Sequence, residues 1–262
     1  MNDLISAHNV IEKSHSSHNT MKQKIMNLAA AAAITGAASA ASIGVSFGGD
    51  NNGGTANGAT AFLDPADTAG VVSQANWTNA PGTSGSAVDV LNGSGAASSL
   101  DVSWGSGESW NWNSATNTSE GELVNGWLST NTIGEATTLD VTEIPYATYD
   151  LYLYSGHDRD STGSGSVYTL TEANSAFAPT TLIENVDPAA LAADPFTYVN
   201  GTDGTGNYAL WSGLTASELN ISMTSTTNRM ALSGFQIVAV PEPSSTILLS
   251  LSGLALFFRR RK

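Results

Sequence analysis

The sequence predicts an all-β fold: a two-sheet antiparallel β-sandwich of jelly-roll type, flanked by an N-terminal signal helix and a C-terminal transmembrane helix. Three observations carry the β prediction. Apolar and polar residues alternate in short runs, the runs are separated by clusters of Gly, Asn, Asp and Ser, and hardly any stretch before Pro241 sustains a helical period. A chain of 262 residues that is 41% hydrophobic and only 12% charged can bury a core of its own. That core is expected in a single exported domain over residues 41–240.

The alternation is cleanest at residues 99–104, where Leu100, Val102 and Trp104 fall on one face and Ser99, Asp101 and Ser103 on the other. Leu219, Ile221 and Met223 alternate with Asn220, Ser222 and Thr224 in the same way. Further strands are expected at 43–47, 138–142, 149–154, 166–171, 207–211 and 231–240, with one helical turn at 188–193. Antiparallel strands in this number close most economically as two packed sheets.

The two ends read differently from the body. Residues 21–40 are MKQKIMNLAAAAAITGAASA: Lys22 and Lys24 form a basic n-region, 25–37 an apolar stretch, and Ala38-Ser39-Ala40 a small-residue cleavage site. This is the order of a secretory signal peptide, so the mature chain is expected to begin near Ala41, with Ala38 and Ala40 as the cleavage determinants. Residues 1–20 precede it without apolar periodicity and are expected to be an over-extended, disordered start, translation beginning at Met21. A His-rich metal-binding leader built on His8, His15 and His18 is the alternative.

At the other end, residues 241–262 form a sorting and anchoring segment. Pro241-Glu242-Pro243 precedes an uncharged run, 244–258, closed by Arg259, Arg260, Arg261 and Lys262. Fifteen helical residues span roughly 22 Å, short of a ~30 Å hydrocarbon core, and snorkelling arginines make up the difference. The positive-inside rule keeps the basic anchor cytoplasmic and puts everything before Pro241 outside, the side that the N-terminal signal also demands.

Charge and composition exclude several function classes. Between residues 41 and 240, twenty carboxylates face only Arg159 and Arg229, a net of −18, so this domain repels nucleic acid and anionic headgroups. No nucleic-acid partner is expected. The absence of cysteine removes disulfide frameworks, thiol nucleophiles and thiolate metal sites together.

The tail, with its PEP motif, short apolar helix and terminal Arg/Lys cluster over residues 240–262, resembles the PEP-CTERM sorting signal. The resemblance implies that the chain is a substrate of an exosortase, an integral membrane cysteine transpeptidase-like enzyme that cuts near the motif and releases or transfers the protein outward. Pro241, Glu242 and Pro243 would then be the recognition residues, and the chemistry would belong to the partner. A plain C-terminal anchor behind a Pro-rich linker is the alternative. Residues 146–238 more weakly resemble galactose-binding-like jelly-roll domains, in the succession YDLYLY, a Gly-rich loop, a strand and a closing SGFQIV. Such folds include many carbohydrate-binding modules, which makes polysaccharide the candidate ligand, although the fold alone does not supply one.

The body offers little material for catalysis. Downstream of Ala40, His157 is the only histidine, and no G-x-S-x-G elbow is present, which leaves a Ser-His-Asp triad and a zinc site both unsupported. Two of the twenty carboxylates would suffice for a glycosidase, but most lie beside Gly, Ser or Thr in turns and read as solvated surface. No cofactor is expected beyond calcium, for which Asp158 and Asp160 are candidate ligands, with Asp203 in GTDGTGN as a second place. Asx-rich turns explain both loops without a metal. Trp110 and Trp112 are two apart, so in a strand they share a face, either as a stacking platform for sugar rings or as part of the sandwich core. Five N-x-[ST] sequons, at Asn76, Asn92, Asn117, Asn200 and Asn220, mark surface-like loops.

Together these features describe a non-enzymatic cell-envelope or extracellular-matrix protein. It is expected to be delivered by the secretion machinery, anchored transiently in the inner membrane, and sorted by an exosortase to the cell surface or medium. Its sandwich is expected to bind extracellular polysaccharide. The alternatives are a carbohydrate-active hydrolase using two carboxylates and a self-associating structural surface protein.

Overall fold

The computed structural model describes residues 41–48, 62–111, 118–130, 132–156, 165–172, 175–176, 180–184, 193–225 and 230–241. All of them fall in one compact unit that begins at Ala40. In chain order the elements are β1 (Ser42–Ser46), β2 (Thr78–Asn79), β3 (Ser84–Ala87), β4 (Asp101–Gly105), β5 (Glu108–Asn111), α1 (Ser119–Leu123), β6 (Gly126–Ser129), β7 (Ala136–Thr142) and β8 (Tyr149–Tyr154). They continue with β9 (Gly165–Glu172), β10 (Ser175–Ala176), β11 (Thr180–Glu184), β12 (Gly204–Gly206), β13 (Tyr208–Leu214), β14 (Leu219–Ser225) and β15 (Gly234–Ala239).

Two sheets face each other. The first has the order β13-β8-β15-β1-β2, and the second β12-β11-β9-β14-β7-β4-β3, with β10 also paired to β9. Pairing within them is antiparallel except between β1 and β2 and between β11 and β12. The chain alternates between sheets in its second half: β7, β9 and β14 lie in one, β8, β13 and β15 in the other. That shuttling places strands distant in sequence side by side, in the manner of a jelly roll.

The inter-sheet core follows from the period-2 alternation. Ile43, Val45, Phe47, Leu151, Leu153, Phe235 and Ile237 enter it from the first sheet; Val102, Trp104, Leu139, Val141, Leu219, Ile221 and Met223 enter from the second. Across the gap the Phe47 ring meets the Trp104 indole edge-on, 5.7 Å between centroids. The far face of the second sheet is polar, with Thr138, Asp140 and Asn220 exposed.

The far face of the first sheet carries a second core. Tyr152, Tyr154 and Val238 pack there with Leu63, Ala69 and Trp77, and Phe196 and Tyr198 close over them. Gly44 makes the close approach feasible, because a methyl group at this position would stand 2.6 Å from Trp77 Cε3 and 2.7 Å from Gln74 Nε2. Buried polar groups tie the cover down. Tyr154 Oη donates to Gln236 Oε1 (2.8 Å), and Gln236 Nε2 donates to the Val72 carbonyl (2.6 Å) and to Gln74 Oε1 (2.8 Å).

Most of the expected strands are present, and the differences have local causes. The expected strand at 149–154 coincides with β8. The last strand starts at Gly234 rather than 231, because Leu232 instead exchanges backbone hydrogen bonds with Leu128 (2.9 and 3.0 Å). β3 and β12, reading SGSA and GTG, have no apolar side chain larger than alanine to create an alternation. α1 carries no helical period because it is barely one turn. It forms around an N-cap, Thr118 Oγ1 accepting from Gly121 N at 3.1 Å, with Glu120 in the first turn. β5 and β6 form a separate two-stranded sheet beside the sandwich. The helical turn expected at 188–193 lies, but for its last residue, outside the described residues, as do the two terminal helices. Among the described residues no helix is long and apolar enough to cross a membrane.

Candidate functional site

The sorting segment leaves the fold at the end of β15. This strand, GFQIVA, is buried on both faces, Phe235 and Ile237 towards one core and Gln236 and Val238 towards the other. It is also hydrogen-bonded along both edges. Val238 pairs with Ser42 of β1 and Asp150 of β8, and Ala239 pairs with Tyr149. At the end of the strand Ala239 N donates to the Ala41 carbonyl (2.8 Å), and just beyond it Val240 N donates to the Thr148 carbonyl (2.9 Å). Pro241 has no N–H to extend the ladder, and it is exposed. Glu242, Pro243, Arg259, Arg260, Arg261 and Lys262 lie outside the described residues, as do Ala38 and Ala40.

Of the two tryptophans singled out for sugar stacking, Trp110 is described and Trp112 is not. Trp110 stands opposite Trp127 in the β5–β6 ladder, and it is Ser109 and Asn111 that turn to the buried side. Trp110 is therefore half-buried and outside both packed cores. Its Nε1 donates to Glu108 Oε2 at 2.8 Å, which holds the indole against its own strand.

A second aromatic group lies on the covered face of the first sheet. The rings of Tyr152 and Tyr208 sit 5.9 Å apart, and Tyr154 contacts Tyr198 at 5.6 Å. Burial pushes the Tyr154 hydroxyl well above its usual range, the neighbouring Tyr198 adding to the effect, while the Val71 amide that donates to it at 2.8 Å opposes the rise. The Tyr198 hydroxyl is also raised by burial, against the opposing bond from Gly70 N at 2.9 Å. For Tyr152, burial is again the main cause, followed by the charges of Asp150 and Tyr208. The YDLYLY segment contains the signal for this cluster, since alternate tyrosines of one strand share a face, but only the fold brings Tyr198 and Tyr208 to them.

Several described carboxylates act on the backbone around them. Asp67 Oδ2 accepts from Asp64 N (2.6 Å), Asp101 Oδ1 from Asp89 N (2.9 Å) and Asp150 Oδ1 from Gly213 N (2.9 Å). Asp203 occupies a left-handed turn position, φ 55°, and its Oδ1 accepts a long bond, 3.4 Å, from Thr181 N. Among the described residues no group of three or more His, Asp or Glu is placed to hold a metal. Asp158 and Asp160, the calcium candidates, lie outside them, as does His157.

These features define a class: a β-sandwich whose final strand runs without a linker into a C-terminal sorting signal. Residues 239–262 match the PEP-CTERM protein-sorting motif, which implies an exported protein with a transiently membrane-anchored C-terminus and exosortase-dependent processing. The match covers the tail alone. No curated protein matches the sequence. Solved structures similar to the chain include a Bacteroides uniformis β-glucuronidase, with a TM-score of 0.33 and 12% identity over 76% of this chain. The alignment spans only 18% of that enzyme's chain. TmCBM61 in complex with β-1,4-galactotriose aligns with a TM-score of 0.28 and 8% identity, over 54% of this chain and 85% of its own. Similarity of this degree carries no argument about ligand or activity.

Proposed function

We propose that this chain is an exported envelope or extracellular-matrix protein in four parts: an over-extended start at 1–20, a signal peptide at 21–40, a non-catalytic sandwich at 41–240 and a sorting and anchor segment at 241–262. The observation that carries the reading is the PEP-CTERM motif beginning at Ala239, the last residue of β15. In this reading, cleavage after Ala40 frees a chain that starts where β1 starts. The run 244–258 with Arg259 to Lys262 holds it in the inner membrane until an exosortase acts at Pro241, Glu242 and Pro243, and the sandwich then reaches the surface or medium. The carboxylates of Asp67, Asp101 and Asp150, each accepting from a backbone amide, support a structural rather than catalytic use. Trp110, half-buried on a small sheet outside the main cores, is the described part of the proposed sugar platform, with Trp112 two residues on.

Replacement of Pro241, Glu242 and Pro243 by alanine in an exosortase-bearing host tests the sorting reading. The altered chain is expected to stay in the membrane fraction, and release equal to that of the parent chain sinks it. Retention of the released protein on a panel of insoluble polysaccharides, with and without calcium, tests the ligand. Trp110→Ala is expected to weaken retention roughly two- to tenfold, the worth of about 0.5–1.5 kcal/mol of aromatic contact. Release of reducing sugar during the same incubation would overturn the non-catalytic assignment in favour of a two-carboxylate hydrolase.

A further inference from the structure

We infer that the outer edge of β3 is an interaction surface, and that its partner is the β3 of a second copy of this chain, paired antiparallel about a twofold axis. β3 stands at the end of the second sheet, bonded to β4 on one side and to no described strand on the other. The bond from Ser106 N to the Thr83 carbonyl (2.8 Å) fixes the phase of the β3–β4 ladder. With Ser84 opposite Gly105, it is Gly85 and Ala87 that turn their N–H and C=O groups to β4, whereas Ser84 and Ser86 turn theirs outward. Ser84, Gly85 and Ser86 are all exposed. Gly85 lies on the Trp104 ring, where an added methyl would stand 2.6 Å from Cζ2, so the strand is seated tightly on its inner neighbour.

The other edges of the two main sheets are closed. β13 is crossed by residues 199–202: Tyr208 N donates to the Val199 carbonyl (3.3 Å), Gly201 N to the Tyr208 carbonyl (2.8 Å) and Leu210 N to Thr202 Oγ1 (2.9 Å). Beside the two-residue β2, the Asn79 side chain bonds both the amide and the carbonyl of Leu63 (3.2 and 2.9 Å). β12 follows the charge of Asp203 and packs against 199–201 so closely that a methyl on Gly206 would meet the Val199 carbonyl. Charges, prolines, bulges and covering segments are the means by which sheets avoid adding strands. β3 has no proline or charge, its register with β4 is unbroken, and it runs into Val88, which at 69% is the most exposed large apolar residue among those described. Residues 68–88 carry no charge at all, so in a domain of net −18 this is an edge where two copies meet without carboxylates on the pairing strands. Pairing about a twofold axis is self-complementary and closes at two copies. The axis stands perpendicular to the sheet, so two seven-strand paths join end to end with the polar faces bearing Ser103, Asp140 and Asn220 on the same side.

The test is sedimentation equilibrium of the full chain in density-matched detergent over a range of concentrations. The particle mass of the parent is expected to rise towards about twofold that of the monomer. Ser86→Pro removes an outward N–H and leaves the β4 ladder whole, and is expected to hold the chain at the monomer mass. Ser86→Asp sets like charges close to each other across the axis and is expected to do the same, both variants keeping the parent's thermal midpoint in dilute solution. A parent chain that is monomeric up to about 1 mM overturns the inference. Association that both variants retain overturns it too, since that association belongs to another surface or to the chain ends, and masses beyond the dimer overturn the closed twofold pairing. Hydrogen exchange read at single residues decides the matter without substitutions. The Gly85 and Ala87 amides are expected to be slow at every concentration, and those of Ser84 and Ser86 to slow about tenfold or more as concentration rises; exchange at Ser84 and Ser86 that is independent of concentration overturns the inference. Neither measurement needs an exosortase or a polysaccharide, so the outcome stands apart from the function proposed above.

Discussion

Gln236 and the two tyrosines around it set the stability of the covered face. Gln236 offers both ends of its amide, accepting from Tyr154 and donating to Val72 and Gln74, at a site with no access to water. Gln236→Leu is expected to lower the urea unfolding free energy by about 1–3 kcal/mol, because it leaves buried partners without their hydrogen bonds. Tyr154 and Tyr198 are raised above the ordinary tyrosine value of 10.0 when folded. The folded state therefore holds protons that the unfolded chain gives up, so their contribution is complete below pH 10 and is lost as pH rises beyond it. Unfolding free energy should fall above pH 10 by up to about 1.4 kcal/mol per pH unit for each of the two, and the slope should lessen in Tyr198→Phe. Two of the sequons also have a residue-scale explanation. Asn92 accepts from both the amide and hydroxyl of Ser94, and Asn200 does the same with Thr202, so N-x-[ST] here is the chemistry of an Asx turn. The surface loops inferred from the sequence at these two sites are present as exposed turns.

Among the elements, β15 and the segment laid over it behave as one unit. Phe235→Ala removes a ring that touches Phe47 at 6.4 Å between centroids within a closed core, and is expected to cost about 3–5 kcal/mol in chemical denaturation. Gly44→Ala acts from the other face, where the new methyl meets the Trp77 ring; the expected loss is about 1–3 kcal/mol, with the Trp77 fluorescence changed in the folded state. At this scale legibility depended on side-chain size. β8, β14 and β4 were readable because large apolar residues alternate in them. β3, β12 and α1 were not, since their residues are small or polar and their conformation comes from ladder partners or from the Thr118 cap. Trp110 lies on β5, which was not among the strands read from the sequence, and its exposure was not decidable there either. A period of two says which residues share a face and not which face is buried.

For the whole molecule, charge is the feature that composition alone supplies. The −18 of residues 41–240 is spread over a domain with two arginines, so its carboxylates repel one another. Raising ionic strength from about 0.01 to 0.15 M shortens the screening length from roughly 30 to 8 Å and should raise the thermal midpoint; an unchanged or lower midpoint would contradict self-repulsion. The sequence by itself determined the all-β class, the strands with strong alternation and the PEP-CTERM address, because each is written in residues that are neighbours along the chain. Tertiary structure alone decided that β1 and β15, nearly two hundred residues apart, lie side by side. It also decided that a second core covers the first sheet, and that the residues matching the sorting motif begin within the last strand, at Ala239. Pairing between distant strands depends on which faces can be buried together, and that is a property of the assembled sheets, which no local window of residues contains.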